Sequence, residues 1–527
     1  MKNVGENIYC WKCEFCFNLN ANLNIDKNDL PQDETYIHCI QLPETKDESN
    51  KDEKDDSSLI LCFDISGSMN SKYKLDNKLK ELYKKEKISR IEMVKSAMQN
   101  IIDSLLKKYP DIKVGLISFG SKVEAKGDCL SNSITIQPEN LSKEEKIKEM
   151  GLNNKNIINS PIKETYSKIK TTLESISTEG CTALGPAVLL SLNLLDGAKK
   201  GSRIFLCTDG ESNEGVGALH NERNSAINFY HKIGNIAKEK GIIISLITFK
   251  DSESSIDILK YMVEPTGGDI FRVDPNDIFD EFNDFLENRA IASEVEIKIN
   301  LNKCMTFRDE ENINLINDES SIIKNIGNVT KEKETYFEFK FKKSLTLAEM
   351  SDIIFDELKN LIFPAEIKYT KKDGGKYIRI ITKNLKITDN KEEINKIADM
   401  NIISTLQVQK SARLAALGFF NEAQAQIHIT RNYLNNAQAF NPMNAQIYHQ
   451  FNSNMNSFHS NLNLSNSAMN NQMGMNNMMG MNNMMGMNNM MPMGMNASND
   501  LLSHQIFSLS NSSGNRMQNM YLKNNQK

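Results

Sequence analysis

The 527-residue sequence predicts an α/β fold: a doubly wound parallel sheet, then an antiparallel β unit, a helical hairpin and a disordered C-terminal tail. Three observations predict this order. Between residues 58 and 292, continuous apolar runs alternate with segments of helical periodicity, as in parallel sheets whose strands are buried on both faces. Apolar and polar residues then alternate with period two as far as residue 388. From residue 439 the sequence is rich in Asn, Met, Ser and Gln, which is typical of disorder.

Composition and charge exclude several classes of protein. With 63 Lys+Arg and 68 Asp+Glu the net charge is −5, so we expect no nucleic-acid partner. No run approaches the roughly 18 apolar residues of a membrane helix, so no integral membrane segment is expected. The N-terminus has no apolar secretory signal, and nine cysteines are too few for a disulfide scaffold in a chain of this length. We therefore expect a cytoplasmic protein.

The chain begins with a cysteine-containing head, residues 1–43, followed by a charged, acidic linker at 44–57 without apolar periodicity. The head contains a Cys-x-x-Cys pair, which is half of a tetrahedral zinc site. The candidate Zn²⁺ ligands are Cys10, Cys13, Cys16 and Cys39, with His38 as an alternative to Cys39. The alternative interpretation is a set of free thiols that bind no metal.

Residues 58–292 form the predicted parallel sheet domain. Buried strands are predicted at residues 59–63, 112–119, 203–208, 241–249 and 270–273. Helices are predicted at residues 88–106, 162–176, 221–240 and 277–288. The repeated alternation of strand and helix indicates right-handed crossovers around one sheet.

Oxygen-bearing side chains follow two of these strands. Asp64-Ile-Ser66-Gly-Ser68 comes directly after the first strand, and Asp209 follows the strand at 203–208. Thr182 lies in a loop that can reach them. Because ligands bind at the carboxyl ends of strands in open α/β sheets, and Mg²⁺ prefers oxygen ligands, we predict a Mg²⁺ or Mn²⁺ site here. The alternative is that these residues cap turns and a helix and bind nothing.

An insertion at residues 70–87 follows the motif and is predicted to lie beside it. Its lysines include Lys72, Lys74, Lys78, Lys80, Lys84 and Lys85. We predict a solvated, mobile loop. The alternative is a surface that steers an acidic partner towards the metal.

The remaining ordered part is predicted to comprise two units. Residues 293–388 form a β-sandwich-like antiparallel unit, in which Lys-Lys-Asp-Gly-Gly-Lys at 371–376 is a hairpin turn. Residues 389–438 form a helical hairpin that is interrupted at Gly418. Close packing of its helices is predicted at Ala412, Ala415, Ala416, Ala423 and Ala425.

The tail, residues 439–527, contains Gly-Met-Asn-Asn-Met-Met in tandem from Gly474, Gly480 and Gly486. We predict that it is disordered, and that a chain ending near Asn436 melts like the full chain. A further hypothesis is that the tail mediates self-association, because Asn-rich segments can stack as β-ladders.

In their order and context, Asp64, Ser66, Ser68, Thr182 and Asp209 match the metal-ion-dependent adhesion site of von Willebrand factor A domains one by one. Residues 59–292 resemble that Rossmann-like domain. The resemblance implies that Mg²⁺ or Mn²⁺ is ligated directly by the hydroxyls, with one or both aspartates acting through water. It also implies that a protein partner supplies an Asp or Glu carboxylate to the metal.

The head resembles the second half of the zinc ribbon in COPII inner-coat subunits, and the order of the following units is similar. Runs at 88–97, 182–187, 206–210 and 326–330 resemble a cytosolic branch related to circularly permuted Ras-like proteins. The chain lacks Gly-x-x-x-x-Gly-Lys-[Ser/Thr], so we do not transfer the GTPase activity. We expect a non-enzymatic protein-interaction scaffold with a Mg²⁺-dependent site; the alternative is a COPII-like vesicle coat or cargo-adaptor component.

Overall fold

A computed structural model of the chain shows two compact units. It describes residues 2–5, 8–12, 19–24, 35–41, 57–75, 77–219, 223–252, 254–274, 278, 285–286, 288–302, 305–308, 315–316, 320–342, 360–372, 374–386, 390–478, 496–511, 513 and 517. The smaller unit contains Met1–Glu48, Ile291–Val329 and Thr335–Ala398, and the larger contains Ser49–Ala290, Thr330–Glu334 and Asp399–Lys527.

Four strands lie in the N-terminal head. They are β1 (Lys2–Gly5), β2 (Ile8–Lys12), β3 (Leu19–Asn24) and β4 (Thr35–Gln41). Strands β1, β2 and β3 form an antiparallel sheet of their own.

The larger unit is built around a seven-stranded sheet. Its strands and those of a small hairpin are β5 (Ser58–Asp64), β6 (Lys72–Lys74), β7 (Lys87–Ser89), β8 (Lys113–Phe119), β9 (Val123–Gly127), β10 (Ile134–Ile136), β11 (Arg203–Cys207), β12 (Ile243–Phe249) and β13 (Ile270–Val273). The strand order is β10-β9-β8-β5-β11-β12-β13. Strands β8, β5, β11, β12 and β13 are parallel, whereas β9 and β10 are antiparallel.

Helices cover both faces of this sheet. They are α1 (Asn77–Tyr83), α2 (Arg90–Lys108), α3 (Glu144–Asn153), α4 (Ile162–Ser175), α5 (Leu184–Leu194), α6 (Arg223–Glu239) and α7 (Ile256–Val263). Alternate side chains of β5 enter two cores: Ile60 packs on the side of α5, α6 and α7, and Leu61 on the side of α2 and α4. The predicted doubly wound sheet is therefore confirmed. The helix predicted at 277–288 lies mostly outside the described residues.

In the insertion at residues 70–87, β6 pairs with β7 as a hairpin. Helix α1 lies between these two strands in the sequence. The prediction of a mobile loop is therefore wrong. Two residues hold the hairpin in place. Ile88 is buried, and the ring of Tyr73 stacks on that of Phe249 with centroids 6.5 Å apart.

The smaller unit is the predicted antiparallel β unit. Its further strands are β14 (Ala290–Asn300), β15 (Met305–Arg308), β16 (Leu315–Ile316), β17 (Ser321–Thr330), β18 (Glu338–Phe341), β19 (Asn360–Thr370) and β20 (Lys376–Lys386). The main sheet has the order β16-β17-β14-β19-β20-β4, and β15 pairs with β18. The predicted turn at 371–376 is confirmed, since Thr370 pairs with Lys376 and Gly374 has a φ of +83°. Strand β4 of the head pairs with β20, so the head shares a sheet with this unit instead of standing apart.

The C-terminal part is helical. Its helices are α8 (Lys391–Ile397), α9 (Met400–Ala416), α10 (Phe420–Ala437), α11 (Asn444–Met478) and α12 (Asn496–Ser510). The predicted hairpin corresponds to α9 and α10, separated at Gly418, whose φ is +83°. Of the five alanines, Ala412, Ala415 and Ala423 are buried, whereas Ala416 and Ala425 are exposed. None of the described helices has the length and hydropathy required to cross a membrane.

Helices α11 and α12 lie in the tail that we predicted to be disordered, so that prediction is wrong for both segments. Helix α12 buries apolar side chains at helical spacing, Leu502, Ile506 and Leu509, together with Phe507. The prediction rested on the average composition of the tail, and it therefore missed this short amphipathic pattern. Residues 479–495, which hold most of the tandem repeats, lie outside the described residues, and disorder or self-association there stays a prediction.

Candidate metal centre

The five predicted metal-site residues gather at the carboxyl edge of the seven-stranded sheet. The connection after β5 leads to β8 on one side, and the connection after β11 leads to β12 on the other, so a crevice forms between the carboxyl ends of β5 and β11. Asp64 is the last residue of β5, and Asp209 follows β11 by two residues. Both carboxylates are buried. Their adjacency results from the parallel register in which Phe63 lies beside Cys207.

Hydrogen bonds of the backbone and side chains in the turn after β5 link these two aspartates. The Ser66 amide donates to Asp64 Oδ1 at 2.7 Å, and the Ser66 and Ser68 hydroxyl oxygens are 3.0 Å apart. The Ser68 hydroxyl donates to Asp209 Oδ1 at 2.6 Å. The second Asp64 oxygen accepts from the Thr208 hydroxyl at 2.6 Å. The motif therefore places two hydroxyls between two carboxylates.

The loop before α5 brings Thr182 to the same place. Backbone bonds fix this loop, because Gly67 N donates to Gly180 O at 3.0 Å and Thr182 N donates to Asn213 Oδ1 at 2.8 Å. A Cβ atom built on Gly210 would lie 3.9 Å from Ser68 Oγ and 4.0 Å from Thr182 Oγ1. Both hydroxyls thus border one small space beside Asp209, and all five predicted residues are brought together.

Close backbone packing behind the Thr182 loop gives a testable expectation. A Cβ atom on Gly185, in the first turn of α5, would lie 1.9 Å from the carbonyl oxygen of Val216. Gly185→Ala is therefore expected to lower the free energy of unfolding by about 1–3 kcal/mol, measured by denaturant unfolding. Gly67→Ala, in the turn after β5, is the matched control. A Cβ atom on Gly67 would lie 3.7 Å from its nearest neighbour, the carbonyl oxygen of Gly180. Equal stability of the two variants would contradict the packing described here.

The electrostatics of the site favour a cation. Burial raises the pKa of Asp64 to about 6, although hydrogen bonds from Ser66 and Thr208 lower it, and the nearby Asp209 charge raises it further. A divalent ion would relieve both the burial of charge and the repulsion between the carboxylates. Hydroxyl and carboxylate oxygens suit Mg²⁺ or Mn²⁺. In the described part of the chain no group of three or more His, Cys, Asp or Glu could hold a metal, so any ion here would depend on the hydroxyls.

Sequence reasoning missed a buried arginine at the rim of this site. Arg90 is the first residue of α2, and its guanidinium donates to Asp209 Oδ2 and, at 2.9 Å, to Asp251 Oδ2. Its Nε donates to the Tyr73 hydroxyl at 2.6 Å, and that hydroxyl donates to Asp251. The only local signal is the capping box of Ser89 and Glu92, which begins α2 at this point.

The structure does not bring the four candidate zinc ligands together as a described site. Cys10 lies on β2 and Cys39 on β4, which belong to different sheets. Cys13 and Cys16 lie outside the described residues. The zinc site therefore stays a prediction.

Comparisons with known proteins agree with this architecture. A family model described as the Sec23/Sec24 trunk domain matches residues 83–286. Circularly permutated Ras protein 1 of Dictyostelium discoideum is 25% identical over 437 residues, which are 78% of this chain and 49% of that protein. The chain thus spans about half the length of this curated relative.

Among solved structures, the human COPII-coat protein Sec24c is similar with a TM-score of 0.53 and 13% identity, covering 82% of this chain and 58% of that one. A von Willebrand factor type A protein from Catenulispora acidiphila has a TM-score of 0.43 and 10% identity, covering 76% of this chain and 82% of that one. Together with the strand order, the trunk-domain match supports a von Willebrand A-type fold related to COPII subunits.

Proposed function

We propose that this chain is a non-enzymatic, cytoplasmic protein-interaction scaffold that binds a partner through Mg²⁺ or Mn²⁺. The observation that carries the proposal is the convergence of Asp64, Ser66, Ser68, Thr182 and Asp209 on one small space at the switch point of the sheet. An ion held there supplies a Lewis-acidic position that a carboxylate can occupy.

The charge balance of the site supports capture of an acidic group. The motif contributes two carboxylates, Asp64 and Asp209, and Asp209 already shares its charge with the Arg90 guanidinium. Because Mg²⁺ takes about six oxygen ligands, five side chains that act partly through water leave room for one more. An Asp or Glu of a partner protein has the charge and the oxygen ligands that this arrangement lacks.

The first test measures divalent-ion binding to the full chain by calorimetry. We expect one Mn²⁺ or Mg²⁺ site, with affinity reduced at least about 10–100-fold in Asp64→Asn, because this change removes the charge but keeps the shape. Asp111→Asn is the control, since that carboxylate pairs with Lys163 at the surface. Equal ion affinity in Asp64→Asn and the unmodified chain would exclude this metal site.

A COPII-like coat or cargo-adaptor role is the second candidate. It is supported by the trunk-domain match over residues 83–286 and by the structural similarity to Sec24c, which extends over 82% of this chain. Purified Sec23/Sec24 subunits on liposomes provide the test. Co-sedimentation of this chain that persists in EDTA would favour the coat role, whereas absence of co-sedimentation would argue against it.

A further inference from the structure

The hairpin formed by β6 and β7 has two chemically different faces. In its register Tyr73 lies opposite Ile88, and Lys74 lies opposite Lys87. Tyr73 and Ile88 pack against the larger unit, as described above. Because side chains alternate along a strand, Lys72, Lys74 and Lys87 occupy the other face, and all three are exposed. We call these three residues the lysine face.

The lysine face carries three positive charges that have no ion-pair partner among the described residues. Like charges directly opposite each other in a hairpin are destabilising, yet Lys74 and Lys87 are paired in this way. Within the described residues none of the three lysines forms an ion pair, whereas the neighbouring Lys85 binds Glu92 at 2.8 Å. Residues 70–87 contain seven lysines and three acidic residues, in a chain whose net charge is −5. Such a local excess of positive charge attracts an anion.

The hairpin is fixed beside the candidate metal site. Tyr73 bonds to Arg90, whose guanidinium also holds Asp209, and the Arg90 amide donates to Ser71 O at 3.1 Å. Lys72 follows Ser68 by four residues, so their Cα atoms are at most about 14 Å apart. Lys72, at one end of the lysine face, therefore lies within one short peptide segment of the candidate ligand Ser68.

We propose that the lysine face is a docking surface for an acidic segment of the partner protein. One carboxylate of that segment binds the metal, and further carboxylates pair with Lys72, Lys74 and Lys87. Since an extended peptide spans about 3.3–3.6 Å per residue, a carboxylate that pairs with Lys72 lies within about four positions of the first. This inference rests on the proposed function, because the first contact is the one to the metal.

An acidic peptide fits these observations better than an anionic membrane. The seven lysines of residues 70–87 fall within the clusters of about four to eight basic residues that mark binding to anionic lipids, so the number of lysines does not separate the two occupants, and the metal does. A metal that accepts a single carboxylate, with positive charges a few residues away, matches a protein segment with clustered Asp or Glu.

The test uses the full chain with saturating Mg²⁺ and two fluorescent peptides, one with four glutamates in six residues and one with a single glutamate. We expect the triple variant Lys72→Gln, Lys74→Gln and Lys87→Gln to bind the four-glutamate peptide about 10-fold more weakly, as expected for the loss of three exposed ion pairs. Its affinities for Mg²⁺ and for the single-glutamate peptide should not change. The difference between the affinities of the unmodified chain for the two peptides should decrease as the salt concentration increases.

A second triple variant, Lys107→Gln, Lys168→Gln and Lys331→Gln, removes three exposed lysines elsewhere in the larger unit and should bind both peptides normally. If the unmodified chain binds both peptides equally, the lysine face is not a docking surface, although the metal function stands. If neither peptide binds, both proposals fail. If the variant of the lysine face loses binding to phosphatidylserine vesicles but still binds the four-glutamate peptide normally, the surface faces a membrane. That result would overturn this inference.

Discussion

Phe507→Ala is expected to lower the free energy of unfolding by about 3–5 kcal/mol, the usual cost of deleting a fully buried phenylalanine side chain. Phe507 belongs to α12, in the far C-terminal tail, yet its side chain is completely buried in the core that also contains Ile244, Tyr230 and Leu259. The loss would appear in denaturant unfolding of the full chain. Deletion of residues 496–527 should cost more, because it also removes Leu502, Ile506 and Leu509 from the interior.

Polar contacts explain why α12 docks at one position. Asp500 accepts hydrogen bonds from the Ser254 amide at 2.6 Å and the Ile256 amide at 2.8 Å, and so caps α7, whose own N-cap, Ser255, makes no side-chain capping bond. His504 Nε2 lies 3.1 Å from Ile270 O on the edge strand β13. The expectation that the tail is dispensable for folding is therefore reversed.

Leu501→Ala is the matched control for Phe507→Ala, because Leu501 lies on the same helix but is 36% exposed. It should change stability much less. If Phe507→Ala and the chain ending at residue 495 both unfold like the unmodified protein, α12 does not dock on the larger unit.

Arg90→Met is expected to destabilise the chain by about 3–5 kcal/mol in EDTA, because removal of one partner leaves buried charge uncompensated. The change leaves the negative charge of Asp209 without its cationic partner. Asp209 is buried, and its other described hydrogen bond is the one donated by the Ser68 hydroxyl. A divalent ion at the candidate site would restore part of the loss. At about 100 times its dissociation constant, a ligand stabilises the folded state by about 2.7 kcal/mol.

Melting curves with and without Mg²⁺ measure both effects. The increase in melting temperature on adding Mg²⁺ should be larger in Arg90→Met than in the unmodified chain, since the ion no longer competes with the guanidinium for Asp209. Lys85→Met removes an exposed ion pair with Glu92 and serves as the control, with an expected change below about 1 kcal/mol. A smaller Mg²⁺ response in Arg90→Met would indicate that Arg90 orients Asp209 for the metal instead of opposing it.

Local sequence patterns predicted the parallel sheet and the positions of the five site residues. Buried parallel strands are continuous apolar runs, so 59–63 and 203–208 correspond closely to β5 and β11, and the strand at 270–273 has the predicted bounds. Polar residues at the ends of such strands are placed by topology alone. Antiparallel β9 was missed because its apolar and polar residues alternate over only five positions.

Interactions between distant residues were not predictable in the same way. The contacts of Arg90 with Tyr73, Asp209 and Asp251 join four separate segments, and no local periodicity connects them. Helix α12 was missed because its four buried apolar residues follow a long polar, Met-rich tract whose composition dominated the prediction. In both cases tertiary packing, which single-sequence patterns do not encode, decides the outcome.

The pairing of β4 with β20 has a consequence for the order of events during synthesis. Gln41 lies opposite Lys376, so the ribosome must add roughly 335 residues before β4 can find its partner. At about 5–20 residues per second this delay is roughly 17–67 s. Meanwhile the sequence of the larger sheet, which ends with β13, has already emerged and can fold. The smaller unit is therefore expected to complete folding only after β20 has been synthesised, with β4 exposed until then as an unpaired strand that a holding chaperone could protect.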